Sequence, residues 1–166
     1  NKMHQLKLIG EYADIKIGYG NISIKIPEGI LITGSQTGHI NQIQSANFSL
    51  ITNYSMETNQ VSCIGEVKAS AESLTHAAVY EANSSIRAII HIHNKSLWEQ
   101  LINKVPTSDK NVSYGTSAMV SEIKRLFNET NIVQEKIMVM SGHEDGIITF
   151  GNNLKEAGQL ILNYAT

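Results

Sequence analysis

The sequence predicts an α/β fold in which a mixed, largely antiparallel sheet is covered by helices. Short alternating or apolar segments, typical of strands, stand beside longer segments with apolar residues at helical spacing. These segments lack a regular strand–helix alternation, which argues against a doubly wound parallel sheet. The 166 residues are 42% hydrophobic and contain no repeat or linker, so we expect one domain spanning residues 1–166.

The first part of the chain is predicted to contain one helix and four strands. Residues 2–13 carry apolar side chains at helical spacing, as in an opening helix. The segment "GYGNISIKI", residues 18–26, alternates like a strand, with Asn21, Ser23 and Lys25 on one face. Three further segments are predicted strands: residues 29–33, 47–52 and 60–65.

The second part of the chain mixes helices with strands. Residues 70–83, "SAESLTHAAVYEAN", have helical periodicity, and Ser70 is the expected N-cap. The strand "RAIIHIHN", residues 87–94, follows. The remaining predicted elements are a short helix around residues 96–102, a helix over 116–129, strands at 136–140 and 146–150, and a closing helix over 153–165.

Composition excludes several classes of protein. The net charge of -2 gives no general nucleic-acid footprint. Cys63 is the one cysteine, so no intrachain disulfide can form, and we expect it to pack within its strand. The sequence shows no secretory leader and no apolar run of about 18 residues. We therefore expect a cytoplasmic protein that binds neither membrane nor nucleic acid.

Three histidines are candidate metal ligands. His91 and His93 are two residues apart in a predicted strand and therefore share a face. His143 lies between two predicted strands in "MSGHEDG", where a turn can direct it back toward a sheet edge. Three imidazoles are a ligand set that catalytic zinc uses while keeping one position open. On spacing alone, surface or core histidines remain an equal alternative.

Glu72 is a candidate general acid/base. It follows Ser70 in the predicted first helical turn, where the helix dipole favours a carboxylate. A carboxylate near a metal-bound substrate can take or return a proton. Taken in isolation, Glu72 is better explained as a residue that only complements its own helix end.

An ordered series of motifs resembles the class II aldolase/adducin family, whose type enzyme is L-fuculose-1-phosphate aldolase. Each motif is short, and the order and separation of all six carry the resemblance. The motifs are "GNIS" at 20–23, "ILITGS" at 30–35, "SAESLTHAAVY" at 70–80, "AIIHIHN" at 88–94, "YGT" at 114–116 and "GHEDGIITFG" at 142–151.

This resemblance implies a fold, a reaction and a set of roles. The implied fold has three α/β/α layers around a mainly antiparallel sheet. His91, His93 and His143 would bind Zn²⁺, with other divalent transition metals still open, and Glu72 would be the acid/base. The implied reaction is retro-aldol cleavage of a small phosphorylated ketose through a zinc-stabilised enediolate. Family members commonly form homotetramers with active sites at subunit interfaces.

The resemblance also implies a phosphate pocket. Short Gly, Ser and Thr turns beside a helix N-terminus can surround an anion with hydrogen-bond donors. Ordinary turn chemistry is the alternative explanation for the same residues. The residues carried over are Gly20, Asn21, Thr33, Gly34, Ser35, Ser70 and Ala71.

The chain departs from the family pattern at several positions. Ala71 stands where aldolases usually carry a second serine, and Glu144 follows His143 where glycine is common. The segment that supplies a tyrosine from the neighbouring subunit has no clear counterpart. Tyr114 is a replacement donor or a packed aromatic residue, and Lys25 contacts an anionic substrate or is exposed. His76 is expected to support or pack rather than to ligate.

Several functions therefore stay open. Within the family, a methylthioribulose-1-phosphate dehydratase or a pentulose-phosphate epimerase is the alternative to an aldolase. A different class is a non-catalytic metal- or anion-binding protein, or an adducin-like assembly module. Three histidines and a glutamate at the metal positions weigh against a pure scaffold, which has no need of them.

Overall fold

The centre of the structure, a computed structural model that describes residues 2–165, is a seven-stranded sheet. Its strand order is β6-β5-β4-β3-β7-β9-β8, and every neighbouring pair is antiparallel, which confirms the predicted sheet. The seven strands are β3 (Asn21–Ile26), β4 (Gly29–Thr33), β5 (Phe48–Ser55), β6 (Gln60–Ile64), β7 (Ala88–His93), β8 (Ile137–Val139) and β9 (Gly146–Gly151). A separate hairpin pairs β1 (Gly10–Tyr12) with β2 (Ile17–Tyr19).

Helices cover both faces of this sheet and complete the three layers. The helices are α1 (Lys2–Gln5), α2 (Ser73–Ala82), α3 (Lys95–Leu101), α4 (Ser117–Glu129), α5 (Ile132–Glu135) and α6 (Leu154–Ala165), with a 3-10 turn at Ser45–Asn47. Helices α2 and α4 share one apolar core with Ile89 and Ile148 of the sheet. Helices α3 and α6 share the second core with Ile90 and Ile147 on the opposite face.

Strand β7 carries the histidines to the α2 side of the sheet. Its six residues are all buried, and Ile89 packs into the core below α2 and α4. Ile90 and Ile92 pack on the other side, and each buried isoleucine of this kind contributes about 1.5–3 kcal/mol of transfer free energy. The strand period of two therefore fixes His91 and His93 on the same face as Ile89.

The predicted helix over residues 2–13 was wrong beyond its first turn. The helix ends at Gln5, and Lys7 adopts a left-handed backbone conformation with φ of 56°. Leu6 is exposed, whereas Leu8 and Ile9 are buried against the α6 side of the sheet. The apolar spacing therefore did not mark one buried helical stripe, and a single turn is too short to be stable alone.

The predicted strand over residues 18–26 is broken at Gly20. Gly20 has φ of 73°, a conformation that glycine adopts without steric cost. A Cβ at this position would lie 2.7 Å from Ile9 Cγ1 and 3.0 Å from the carbonyl oxygen of His91. The break sends the chain from the small hairpin into β3 of the main sheet.

Three smaller expectations also need correction. Cys63 is exposed instead of packed, because it lies on β6, the edge strand, whose five residues are all exposed. Helix α2 begins at Ser73 with Glu72 as its N-cap, two residues after the predicted Ser70. The short helix α5 was not predicted, since four residues carry little periodicity.

No helix between residues 2 and 165 is both long and apolar enough to cross a membrane.

Candidate metal centre

Three histidines from two distant parts of the chain meet at one end of the sheet. Each of His91, His93 and His143 offers a ligand atom within 4.8 Å of the others'. The ring centroids lie 4.9 Å apart for His91 and His93, 5.3 Å for His91 and His143, and 4.6 Å for His93 and His143. The structure thus brings the predicted set together in a group that can hold a metal ion.

The turn between β8 and β9 positions His143. Its backbone N–H donates to Met140 O at 3.1 Å, and its carbonyl accepts from Gly146 N–H at 2.9 Å. Asp145, with φ of 67°, closes the turn, and its carbonyl accepts from Asn94 N–H just beyond β7 at 3.0 Å. Because β9 pairs with β7, this turn lies beside the other two histidines.

Glu72 directs its carboxylate at the histidines and not at its own helix. It is the N-cap of α2 through its backbone, but its side chain accepts no capping hydrogen bond. Its Oε1 lies 3.2 Å from His143 Nε2 and 3.6 Å from His91 Nδ1. The side chain is only 6% exposed, so this arrangement places a buried carboxylate against the histidine group.

Burial keeps the two strand histidines neutral. Loss of solvent lowers the pKa of His91 well below its ordinary value, and repulsion from charge on His93 and His143 acts in the same direction. Burial, followed by repulsion from His143, lowers the pKa of His93 to about 3. Neutral imidazoles keep the lone pair that a metal ion requires.

The outward nitrogens of both strand histidines already have partners. His93 Nδ1 lies 2.9 Å from the hydroxyl of Tyr12, and His91 Nδ1 lies 3.3 Å from the side-chain amide group of Asn21, whose oxygen can accept from Nδ1–H and leave the Nε2 lone pair free. Within the described chain, His91 Nε2 and Glu72 Oε2 are buried without a hydrogen-bond partner. Unsatisfied ligand atoms on a three-imidazole group and on the adjacent carboxylate fit a divalent transition-metal ion such as zinc, iron, cobalt or manganese.

A cleft of about 290 Å³ opens over this group. Most of the predicted phosphate-site residues line it, together with Glu72 and the three histidines. These lining residues are Gly20, Asn21, Gly34, Ser35, Ser70 and Ala71. Two predicted residues lie elsewhere: Thr33 is buried and accepts from Ile22 N–H at 3.1 Å, and Lys25 Nζ lies 5.8 Å from the centroid of the Tyr80 ring.

The backbone donors of the "TGS" turn are already used. Gly34 N–H donates to Asn47 O at 2.8 Å, and Ser35 N–H donates to Lys68 O at 2.7 Å. The Ser70 hydroxyl oxygen accepts from Glu72 N–H at 3.3 Å. Donation to an anion from the "TGS" turn would therefore come from the Ser35 hydroxyl and not from these two N–H groups.

Three residues beside the cleft have distinct surroundings. The ring of Tyr114 lies 4.2 Å from the His143 ring, centroid to centroid, and the residue is 45% exposed. Glu144 is exposed, pairs with Lys95 at 3.5 Å and also lines the cleft. His76 is fully buried, and its Nδ1 lies 2.7 Å from Ser23 Oγ.

Sequence reasoning missed two tyrosines at the site. Tyr12 and Tyr19 of the small hairpin line the cleft, and their rings lie 4.6 Å apart. Burial raises the pKa of both phenols, and for Tyr12 the charge on Asp145 adds to the effect. For Tyr12 the available signal was Gly10, which lies inside the predicted helix over residues 2–13, because glycine disfavours a helix interior.

A larger groove of about 560 Å³ lies on the opposite face of the sheet. Its walls come mainly from α1, the loop at 38–43 and α6, and its floor includes Ile22 and Ile90. Because Ile90 and His91 point to opposite faces of β7, this groove is separate from the histidine group.

Comparisons with known proteins agree with this architecture. A family model described as the class II aldolase and adducin N-terminal domain matches residues 6–165. A solved L-fuculose 1-phosphate aldolase aligns with a TM-score of 0.73 at 17% identity, over 99% of this chain and 76% of its own. No curated protein sequence matches the chain.

Two further solved structures share the fold. YgbL from Klebsiella pneumoniae aligns with a TM-score of 0.66 at 18% identity, over 98% of this chain and 82% of its own. The L-fuculose-1-phosphate aldolase from Thermus thermophilus aligns with a TM-score of 0.62 at 20% identity, over 99% of this chain and 80% of its own. The family match extends over nearly the whole described chain. The chain therefore belongs to the class II aldolase and adducin N-terminal domain family.

Proposed function

We propose that the protein is a metal-dependent lyase that cleaves a small phosphorylated ketose by a retro-aldol reaction. The observation that carries the proposal is the buried carboxylate of Glu72, 3.2 Å from His143 Nε2 at the edge of the three-histidine group. This carboxylate can complete the ligand set of a resting metal ion, and it is also placed to exchange a proton with a bound substrate. A lyase needs such a group to move a proton.

In the proposed reaction the histidines and Glu72 have different roles. His91, His93 and His143 would hold the metal ion, which supplies Lewis acidity toward a carbonyl oxygen. Glu72 takes the proton from the hydroxyl on the carbon that becomes the aldehyde. The electrons of the broken carbon–carbon bond pass to the carbon beside the ketone, and the same carboxylate returns the proton to that carbon. The buried position of Glu72 shields this exchange from bulk water.

The polar end of the cleft suits a phosphate ester. The side chains of Asn21, Ser35 and Ser70 line it and offer amide and hydroxyl donors. Three similar solved structures are named as L-fuculose 1-phosphate aldolases, and another as a sugar-phosphate aldolase from Thermotoga maritima. These names support a phosphorylated sugar as the substrate class. Ala71 contributes no hydroxyl, so we expect phosphate to bind through fewer donors than in a site with serine there.

Zinc is the metal we propose. Three neutral imidazoles and a nearby carboxylate match the ligands of catalytic zinc sites. Iron, cobalt and manganese are the competing ions, and metal analysis of protein purified from unsupplemented growth medium distinguishes them.

The test of the proposed function compares the wild type with Glu72→Gln. Each is given dihydroxyacetone phosphate with short aldehydes and, separately, fuculose and ribulose phosphates, and product formation is followed. We expect turnover by the wild type and a loss of at least about 100-fold in the variant, because glutamine accepts no proton. Metal content should stay unchanged, which serves as the control. Equal turnover by both proteins would exclude Glu72 as the proton carrier.

The products of the same assay distinguish the alternatives within the family. A dehydratase acting on methylthioribulose 1-phosphate would release water, and an epimerase would convert ribulose phosphate to its stereoisomer without cleavage. YgbL, whose descriptive name includes aldolase, epimerase and decarboxylase, shares the fold with this chain. Metal binding with no turnover of any of these compounds would favour the binding-module alternative.

We also propose a cytoplasmic homotetramer built from one domain over residues 1–166, of which Asn1 and Thr166 lie outside the described residues. The resemblance to the class II aldolases supports this assembly, because tetramers are common among them. Sedimentation equilibrium of the purified protein tests it, and a monomer at micromolar concentration would contradict it.

A further inference from the structure

Tyr12 is the one hydroxyl in the described chain that forms a hydrogen bond with the three-histidine group. Its oxygen lies 2.9 Å from His93 Nδ1, and its ring is set edge-on to the imidazole, with centroids 6.1 Å apart. Tyr12 comes from β1, far from the histidine motifs in sequence, and lines the same cleft as Glu72. The residue belongs to none of the motifs that carry the family resemblance.

The direction of this hydrogen bond follows from the chemistry of a neutral imidazole, which has one N–H and one lone pair. If Tyr12 donated to Nδ1, then Nε2 would carry the hydrogen and could not bind a cation. If His93 Nδ1–H donates to the Tyr12 oxygen, the Nε2 lone pair is free for a metal ion. The second arrangement is the usual one for metal-ligating histidines, which donate their other N–H to a fixed acceptor.

We infer that Tyr12 accepts a hydrogen bond from His93 Nδ1–H, which orients this histidine as a ligand, and donates its own hydroxyl proton to an oxygen of the bound substrate. The first role makes Tyr12 a positioning residue for His93. The second follows because the phenol, once it accepts from Nδ1–H, has its own O–H left over inside the cleft. This second role rests on the proposed function, which supplies the oxygen-rich substrate.

The other tyrosine of the hairpin cannot serve in the same way. The hydroxyl of Tyr19 donates to the carbonyl oxygen of Lys7 at 3.2 Å, away from the histidines. Its ring packs beside Tyr12 and lies 5.5 Å from the His93 ring, so it shares the surroundings of Tyr12 without the hydrogen bond. Tyr19 is therefore a matched control for Tyr12.

The hairpin is held firmly enough to position a side chain. On one side, His93 N–H donates to Leu8 O at 2.9 Å, which joins the segment before β1 to the end of β7. On the other side, Gly18 N–H donates to Gln36 Oε1 at 2.7 Å. Both anchors lie at the cleft, so the hydroxyl of Tyr12 is placed by the backbone and not by a free loop.

The experiment compares Tyr12→Phe with Tyr19→Phe and the wild type. Zinc affinity is measured by competition with a chromophoric chelator, and loss of the outer hydrogen bond should weaken binding about tenfold in Tyr12→Phe only. Long-range nitrogen NMR of the zinc-loaded protein should show His93 protonated on Nδ1. The Nδ1–H signal should move upfield in Tyr12→Phe, a change that a merely structural role for the ring would not produce.

Kinetics test the second role. For a ketose phosphate that the wild type cleaves, kcat/KM at saturating zinc should fall by about tenfold or more in Tyr12→Phe. It should stay unchanged in Tyr164→Phe, whose ring lies on α6 and packs against the core on the opposite face of the sheet. Equal zinc affinity and an unchanged Nδ1–H signal in Tyr12→Phe would overturn the positioning role, whatever the activity. Equal kcat/KM would overturn the substrate contact while leaving the proposed function intact. If the wild type cleaves no ketose phosphate, the proposed function and the substrate contact fail, and affinity and NMR still decide the positioning role.

Discussion

His76 is a buried histidine that belongs to the core and not to the ligand group. Its Nδ1 lies 2.7 Å from Ser23 Oγ, which in turn lies 2.8 Å from the hydroxyl of Tyr80. This network ties α2 to β3 directly behind Glu72. The structure therefore agrees with the expectation that His76 supports or packs.

Protonation of His76 should destabilise the metal-free protein in mild acid. Burial lowers its pKa from about 6.5 to about 3 in the folded protein, so the unfolded chain binds more protons between these pH values. The free energy of unfolding should fall as the pH drops below about 6.5, at up to about 1.4 kcal/mol per pH unit from this residue. Above that pH the contribution is fully present.

Urea unfolding of metal-free protein between pH 4 and 7 measures this dependence. His76→Gln should reduce the slope of stability against pH, whereas His39→Gln, at an exposed position, should leave it unchanged. Identical slopes for His76→Gln and the wild type would show that His76 does not titrate in this way.

The orientation of two residues of the site, His91 and His93, was predictable from the sequence, and the position of a third, Tyr12, was not. His91 and His93 follow from the strand period alone, because alternation forces them onto one face. Tyr12 was assigned to a helix, since the apolar spacing of residues 2–13 resembled one. Its place beside His93 depends on pairing between β1 and β2 and on contacts with β7, which local periodicity does not encode.

At the level of elements, two glycines differ in the space that is available for a side chain. One lies beside the histidines and the other lies in helix α6. A Cβ on Gly146, the first residue of β9, would lie 2.7 Å from His143 Cδ2 and 3.2 Å from His91 Nε2. A Cβ on Gly158, inside α6, would meet Met3 and Ile90 only at 3.4 and 3.6 Å, which is ordinary contact.

The two alanine substitutions should therefore affect different properties: zinc affinity in the first case and the free energy of unfolding in the second. Gly146→Ala should displace two ligands and weaken zinc binding by at least about tenfold. Gly158→Ala should leave zinc binding unchanged and raise the free energy of unfolding by about 0.5–1 kcal/mol, because alanine favours a helix. Chelator competition and urea unfolding measure the two effects. Normal zinc affinity in Gly146→Ala would mean that the ligand positions tolerate a side chain at this turn.

The elements that sequence predicts well are those with a long, consistent pattern. Helices α4 and α6 have apolar stripes over 13 and 12 residues, and both appear close to their expected bounds. Residues 2–20 carry only a short helical pattern, which was misleading beyond Gln5. Their structure depends on the close packing of Gly10 against the Tyr19 ring and of Gly20 against Ile9 and the His91 carbonyl oxygen. Exposure of Cys63 likewise depends on strand order, because only the topology makes β6 an edge.

At the scale of the whole molecule, the cleft is an assembly of remote segments. The hairpin, the turns after β4 and before α2, the end of β7 and the β8–β9 turn all contribute to its lining. The antiparallel order β3-β7-β9 places the ends of these strands together. The cleft therefore forms only when these strands of the sheet are paired. Most of these segments belong to the motifs that carry the family resemblance. The order and separation of those motifs therefore indicated which residues would form the site.

The central claim is that His91, His93 and His143 bind a single divalent metal ion. Inductively coupled plasma analysis of the wild type, His143→Ala and the exposed-site control His39→Ala tests it most directly. We expect about one zinc ion per chain in the wild type and the control, and a loss of most of it in His143→Ala. A wild type that binds no transition metal when zinc is supplied, or a His143→Ala variant that keeps its full equivalent, would contradict the claim.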